Sequence, residues 1–183
     1  TAEQIKKIQG MMKRQLDHVI GMVQNLFDIT RIQEGRLVLH QRPTSIAEVI
    51  HIALESSSES IEGGKHSLRV HIEEDLPDAL IDGPRIAQVI ANLLDNASKY
   101  TSEGGVITLN VSHKDQLIEV RVRDNGRGIA PDRQEQVFKL FAQEQHHNQY
   151  SRGGLGVGLF LAKTIIDEHG GSIHVTCLLY TSD

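Results

Sequence analysis

Apolar residues in the first thirty-odd positions recur at alternating steps of three and four: Ile5, Ile8, Met12, Val19, Met22, Leu26 and Ile29. Gln15 is the polar member of this seam, which has the heptad pattern. Leu16, Ile20, Val23 and Phe27 widen the stripe, which favours a four-helix bundle over a two-stranded coil. The spacing predicts one helix, about 40 Å long at ~1.5 Å per residue. Gly35 is its expected stop, since glycine suits the left-handed position after a last turn. Such a helix cannot bury its stripe alone. The pattern implies a partner helix; the bland alternative is packing on the rest of the chain.

Beyond Gly35 the periods shorten and alternate. Ser45 and Glu48 have capping-box spacing and open a helix with Ile46, Val49, Ile50, Ala53 and Leu54 inward. Gly63 and Gly64 break it, and Leu68, Val70 and Ile72 alternate as a strand. Pro84 marks the first turn of a second amphipathic helix, with Ile86, Val89, Ile90, Leu93, Leu94 and Ala97 on its apolar face. Gly104 and Gly105 lead into a strand at residues 106–111. Lys114, Asp115 and Gln116 turn into another, where Ile118, Val120 and Val122 point one way. Pro131 is expected to start a short helix ending near Phe141. Residues 142–153 are polar, with the composition of a mobile lid, and Leu159, Phe160, Ala162, Ile165 and Ile166 set a last helix. The fold class expected is α+β: a two-layer α/β sandwich preceded by a long helix. No internal repeat appears.

Three stretches carry chemistry. Asn92-Leu-Leu-Asp-Asn96-Ala-Ser-Lys99-Tyr100 puts two carboxamides four residues apart on one helix face, with a lysine one turn on. Asparagine is a mediocre helix former, so two on an otherwise apolar helix read as a site, or as a polar solvent face. A carboxamide oxygen is a hard ligand suited to Mg²⁺, and an ammonium suits a phosphate. Arg123-Asp124-Asn125-Gly126-Arg127-Gly128-Ile129 ends the alternating strand. Asp124 continues the phase of Val122, so a carboxylate is expected from the apolar side. Burial of that charge demands a hydrogen-bond donor, for which an adenine amino group is suitable. The alternative is an Asp-Asn-Gly turn between strands. Arg152-Gly153-Gly154-Leu155-Gly156-Val157-Gly158-Leu159 runs into the last helix. Glycines at a helix start expose backbone N–H groups to an anion. No Gly-Lys-Ser/Thr follows, which excludes the Walker loop, and the glycine spacing is not the dinucleotide fingerprint.

Together these stretches resemble the ATP-binding domain of sensor histidine kinases, within the wider group that includes the gyrase, Hsp90 and MutL ATPases. The asparagine box matches at Asn92, Asn96, Lys99 and Tyr100, and the first glycine box at Asp124, Gly126 and Gly128. A phenylalanine box matches at Val137-Phe138-Lys139-Leu140-Phe141, and the second glycine box at Gly154, Gly156 and Gly158. Each box alone is weak; four in order are specific. The match covers roughly residues 36–175.

The resemblance implies a Bergerat-type fold and a mechanism: phosphoryl transfer from Mg-ATP to a histidine, then to an aspartate in the receiver domain of a response regulator. Asp124 accepts a hydrogen bond from the adenine amino group. Asn96 ligates Mg²⁺, and Asn92 supports the metal or the phosphates. Lys99 contacts phosphate and Tyr100 packs near the nucleoside. Gly126, Gly128 and Ile129 from the first glycine box, Phe138 and Phe141, and Arg152, Gly154, Leu155, Gly156, Val157, Gly158 and Leu159 complete the expected ATP site. Residues 1–34 resemble the second helix of a dimerisation and histidine-phosphotransfer hairpin, residues 35–176 the ATPase domain, and residues 177–183 a non-native tail. Residues 1–33 are expected to form a homodimer.

The phosphoacceptor is missing from this pattern. None of the ten histidines has an acid as its next residue, as the acceptor motif with its later proline requires. His18 lies on the wrong helix, and His66 starts a strand. His146 and His147 read as solvated lid residues, and the remaining histidines as surface or core. After Thr176 the family pattern leads to a hairpin and a last strand. Cys177-Leu-Leu-Tyr-Thr-Ser-Asp183 follows instead, so both ends read as truncated. Three rival functions stay open: a gyrase- or Hsp90-like ATPase, an anti-sigma serine kinase and a non-catalytic nucleotide-binding module. The first uses a glutamate where Asn92 stands, and a carboxamide cannot take a proton from water. The second normally lacks the long helix.

Composition narrows the partners. The formal net charge is −5, which disfavours nucleic acid. Cys177 is the single cysteine, so no disulfide framework exists. No apolar run approaches the ~20 residues of a membrane span. A cytoplasmic location is expected, with any membrane anchor in other parts of a parent protein.

Overall fold

The computed structural model describes residues 2–142 and 156–177. The chain divides into two compact units, Thr1–Val38 and Leu39–Asp183. The first unit is one helix, α1 (Ala2–Gln33). It ends where glycine permits. Gly35 has φ +64. Its N–H donates to Ile32 O at 3.0 Å, and Arg36 N–H to Arg31 O at 2.7 Å. These two bonds close a Schellman motif and satisfy carbonyls that the last turn leaves open. Along α1 the side chains of Ile5, Ile8, Met12, Leu16, Val19, Ile20, Val23, Leu26 and Phe27 stay exposed.

The second unit packs helices on a sheet. Its elements are β1 (Arg42–Thr44), α2 (Ile46–Gly63), β2 (Ser67–Ile72), β3 (Ala79–Ile81), α3 (Gly83–Tyr100), β4 (Val106–Lys114), β5 (Leu117–Asp124) and α4 (Gly158–Glu168). β2, β4 and β5 form a three-stranded sheet in that order, parallel then antiparallel. β1 and β3 form a separate antiparallel pair. In β4, Ile107, Leu109 and Val111 are buried on alternate positions, as one covered face requires. α3 packs on α2, on α4 and on β4 and β5, so it runs through the middle of the helical layer. Ile50, Ala53, Val89, Ile90, Leu94, Leu161 and Ile165 fill that layer.

Local chemistry explains the boundaries. Asp82 caps α3: its Oδ1 accepts from Arg85 N–H at 3.2 Å, and a proline sits in the first turn. Asp115 and Gln116 both have positive φ, as a two-residue hairpin loop requires, and Lys114 pairs with Leu117 across it.

Two expectations are corrected. Ser45 is the N-cap of α2, but its side chain makes no capping bond, so the reciprocal box does not form. Ala47 and Glu48 are exposed there, and water can satisfy the first-turn donors. The helix expected from Pro131 is instead two short 3-10 turns, Pro131–Arg133 and Gln136–Phe138. Neither buries a residue, and so short a helix is marginal without packing. The expected lid (142–153) and the expected tail (177–183) lie almost wholly outside the described residues, as do His146 and His147.

A polar seam joins α2 to α3. Ser98 Oγ donates to Ser60 O at 2.8 Å, and Ser57 Oγ to Ala91 O at 3.4 Å. Asp95 is exposed as a residue, yet its carboxyl turns in toward these serines and is itself partly shielded from water. Burial pushes that carboxyl above the usual carboxylate range, against hydrogen bonds from Ser60 and Ser57 that lower it. The folded chain therefore holds this proton more tightly than the unfolded chain. This group's contribution to stability falls as pH rises from the ordinary carboxylate value through the raised one.

Candidate functional site

α3 carries the first set of candidate residues. Asn92 and Asn96 are half-buried on one face, and Lys99 and Tyr100 are exposed at its C-terminal end. Asn92 Nδ2 donates to Gly158 O at 3.4 Å, which ties the middle of α3 to the first residue of α4. The bond uses the amide hydrogen and not the amide oxygen. Lys99 Nζ lies 5.0 Å from the centroid of the Tyr100 ring.

The turn after β5 brings in the second set. Asp124 is in phase with Val122 and pairs with Ile107 of β4. Its side chain is nevertheless exposed, a correction to the buried carboxylate expected from the alternation. The strand ends there, and among the described residues nothing buries the last position. Asp124 Oδ1 accepts from Gly126 N–H at 2.9 Å, an Asx turn that fixes the carboxylate. One carboxylate oxygen of Asp124 thus already accepts from backbone, so the Asp-Asn-Gly turn forms, and the other oxygen is not used by that bond. Asn125 Oδ1 accepts from Val106 N–H at 2.8 Å and holds the turn on the sheet.

The two sets meet at the end of α3. Arg127 N–H donates to Tyr100 O at 3.4 Å. A Cβ at position 126 would overlap the Tyr100 carbonyl oxygen, so only glycine allows this approach. The Arg127 guanidinium sits 4.7 Å from the Tyr100 ring centroid, within cation–π reach. Gly128 has φ +71, and Ile129 N–H donates to Cys177 Sγ at 3.3 Å.

The second glycine stretch is described from Gly156 onward; Arg152, Gly154 and Leu155 lie outside the described residues. Gly156 has φ +68, and a Cβ there would stand 2.6 Å from Ala142 O, so glycine is required. Gly158 is different: a Cβ would meet Asn92 Cγ at 3.5 Å, an ordinary contact. Val157 is buried, while Leu159 is half-buried. Phe138 is half-buried, whereas Phe141 is 59% exposed with φ +61. Asn92 with Gly158, and Tyr100 with Gly126 and Asp124, are therefore two contact groups carried on one helix, α3, and Phe141 backbone lies against Gly156.

The donor set can be tested against the expected ligand. Among the described residues, no group of three or more His, Cys, Asp or Glu side chains is placed to hold a metal ion. A Mg²⁺ ion asks for less: one or two protein oxygens, with phosphates and waters completing its shell. The Asn92 and Asn96 carboxamides fit that demand, and the first-turn N–H groups of α4 fit an anion.

Sequence reasoning assigned no role to Arg127, Asn125 or Asp82. The last had a readable signal, an Asp two residues before a proline at a helix start. The Arg127–Tyr100 stack had none, because it joins residues far apart in sequence.

No helix among the described residues is long and apolar enough to cross a membrane. Residues 81–182 match the family described as histidine kinase-, DNA gyrase B-, and HSP90-like ATPase. The chain is 34% identical over 155 residues to the sensor protein KdpD of Clostridium acetobutylicum, covering 85% of this chain and 17% of that protein. It is similar to full-length ShkA, solved in complex with AMPPNP, with a TM-score of 0.77 and 26% identity over 98% of this chain and 37% of that chain. The histidine kinase ThkA, solved in complex with the response regulator protein TrrA, shares the fold, with a TM-score of 0.64 at 21% identity over 93% of this chain and 46% of that one. The chain therefore spans less than half the length of each of these proteins. With its two-layer architecture and its four boxes in order, this chain belongs to the histidine kinase-, DNA gyrase B- and HSP90-like ATPase family.

Proposed function

We propose that this chain is the ATP-binding catalytic core of a sensor histidine kinase, using Mg-ATP to phosphorylate a histidine that is not among its own ten. The observation that carries the reading is the contact chain from Asp124 through Tyr100 and α3 to Asn92 and Gly158. It joins a base-reading carboxylate to carboxamides and a helix start suited to phosphates. That ShkA, to which the chain is similar, was solved in complex with AMPPNP supports an adenine nucleotide as the ligand.

In this reading Asp124 accepts a hydrogen bond from the adenine amino group through the oxygen that the Gly126 N–H does not use. Asn96 holds Mg²⁺, Asn92 orients α4 through its Nδ2, and Lys99 places an ammonium toward phosphate. Bound Mg²⁺ neutralises phosphate charge and stabilises the charge that develops on transfer. The residues on the chain supply position and electrostatics, which is most of what phosphoryl transfer requires. Onward transfer to a receiver-domain aspartate follows from the kinase reading.

The test is incubation with γ-labelled ATP, with and without a separate helical hairpin carrying an acceptor histidine. Label only on the hairpin is the expected result. Acid-labile, base-stable label on this chain alone would overturn the absence of an acceptor. Bound ATP with no label on either would favour a nucleotide-binding module without kinase activity.

A homodimer through residues 1–33 is part of the same proposal. α1 presents exposed apolar side chains from Ile5 to Phe27, with Met22 half-buried among them, and burial of one such side chain contributes about 1.5–3 kcal/mol. Met22→Glu places a charge in that seam. Sedimentation is expected to show wild type self-associating and the variant shifted toward monomer. A wild type that stays monomeric at tens of micromolar refutes the dimer.

A further inference from the structure

α4 is fastened to α3 by a polar contact at each end. At its first residue, Gly158 O accepts from Asn92 Nδ2 at 3.4 Å. At its far end, the ring of His169 takes the backbone N–H of Asp82, the N-cap of α3, at 3.0 Å on Nε2. The second ring nitrogen, Nδ1, lies 2.7 Å from Ile165 O. An N–H must donate and a carbonyl must accept, so the ring is neutral with its proton on Nδ1. Asp82 is itself held hard: it is 6% exposed, and its carboxylate accepts from Arg85 N–H and, at 2.9 Å, from His40 N–H. Between the two fastenings, Leu161, Ala162 and Ile165 are the buried residues of α4. Apolar burial is not directional, whereas a hydrogen bond weakens steeply as its distance and angle change, so the polar contacts at the two ends define the axial position more sharply.

From this we infer that His169 is a positioning residue for the nucleotide site. Its ring fixes the axial position of α4 against α3, and so sets where the N–H groups at the start of α4 stand relative to Asn92 and Asn96. The inference rests on the nucleotide reading above and adds a residue at the opposite end of the helix from the phosphates. It assigns His169 to phosphate placement and leaves adenine recognition, at Asp124, independent of it.

His169→Phe keeps a flat ring and removes both hydrogen bonds. His169→Gln can still accept through its oxygen and donate through its amide. The phenylalanine variant is expected to bind ATP about ten-fold more weakly, the scale of one lost hydrogen bond. Adenosine affinity should stay unchanged, and the glutamine variant should restore ATP affinity. Equal losses for ATP and adenosine, or no loss for either, would overturn the positioning role. A second measurement needs no nucleotide. Hydrogen exchange at the amides of residues 159–162 should quicken in His169→Phe, at the far end from the substitution. Exchange that quickens only near residues 166–168 would mean local fraying and overturn the inference. If the phenylalanine variant does not fold, His169→Asn serves, because its shorter amide cannot reach both partners. A wild type that binds no ATP refutes the nucleotide site, and the exchange result then decides the fastening alone.

Discussion

Asp124→Ala is expected to lower ATP affinity about ten- to a hundred-fold, the equivalent of a hydrogen bond to a charged group at about 1.5–3 kcal/mol. The carboxylate is preorganised by the Gly126 N–H, so its orientation costs little on binding. The exposed position places the expected loss within this range rather than above it, since water competes for the same oxygen. Titration calorimetry measures it directly. Unchanged affinity in Asp124→Ala, with the fold intact by circular dichroism, would remove Asp124 from the site. Asp124→Asn refines the result: its amide oxygen can keep the Gly126 bond, while the second acceptor becomes an NH2 donor facing the adenine amino group, so a loss close to that of alanine is expected.

Asn96→Ala is expected to abolish the enhancement of ATP binding by Mg²⁺ while leaving adenosine binding nearly intact. Asn96 lies between buried Leu94 and Ala97 and the exposed end of α3, half-buried itself. Alanine is the better helix former, so the change does not weaken α3 by propensity. Titrations with ATP, at saturating Mg²⁺ and in chelator, then isolate the metal contribution. Equal loss for ATP and adenosine would mean a damaged helix. An undiminished Mg²⁺ effect would assign the metal elsewhere.

The elements with strong period were legible, and the reasons are local. α1 is written in its heptads and its stop in Gly35. α3 is written in its apolar face and Pro84, and β4 in the alternation of Ile107, Leu109 and Val111. β1 and β3 were not legible, because three residues cannot establish a period. The segment from Pro131 read as helix because propensity ignores burial, and nothing there is buried. The site was legible as types and spacings: Asn92, Asn96 and Lys99 share a face because a helix repeats. What joins them to Asp124 was not. The Gly126 approach to Tyr100 and the Arg127 stack depend on where β5 delivers its last residue, a property of sheet register. The burial of Asp124 failed for a related reason: alternation fixes the direction of a side chain, not whether anything covers it.

Asn92, Asn96, Lys99 and Tyr100 stand on one uninterrupted helix, with about 12 Å between the first and the last at ~1.5 Å per residue. In the proposed function, α3 thus carries contacts both to the nucleoside, at Tyr100, and to the metal and phosphates, at Asn92 and Asn96, on one rigid rod. The consequence is a chelate effect. Once either end of the ligand is seated, the other meets its partners at a high effective concentration, because no hinge lies between them. Fragments that reach only one end forfeit this gain, so adenosine and inorganic phosphate together would bind far less tightly than the intact triphosphate.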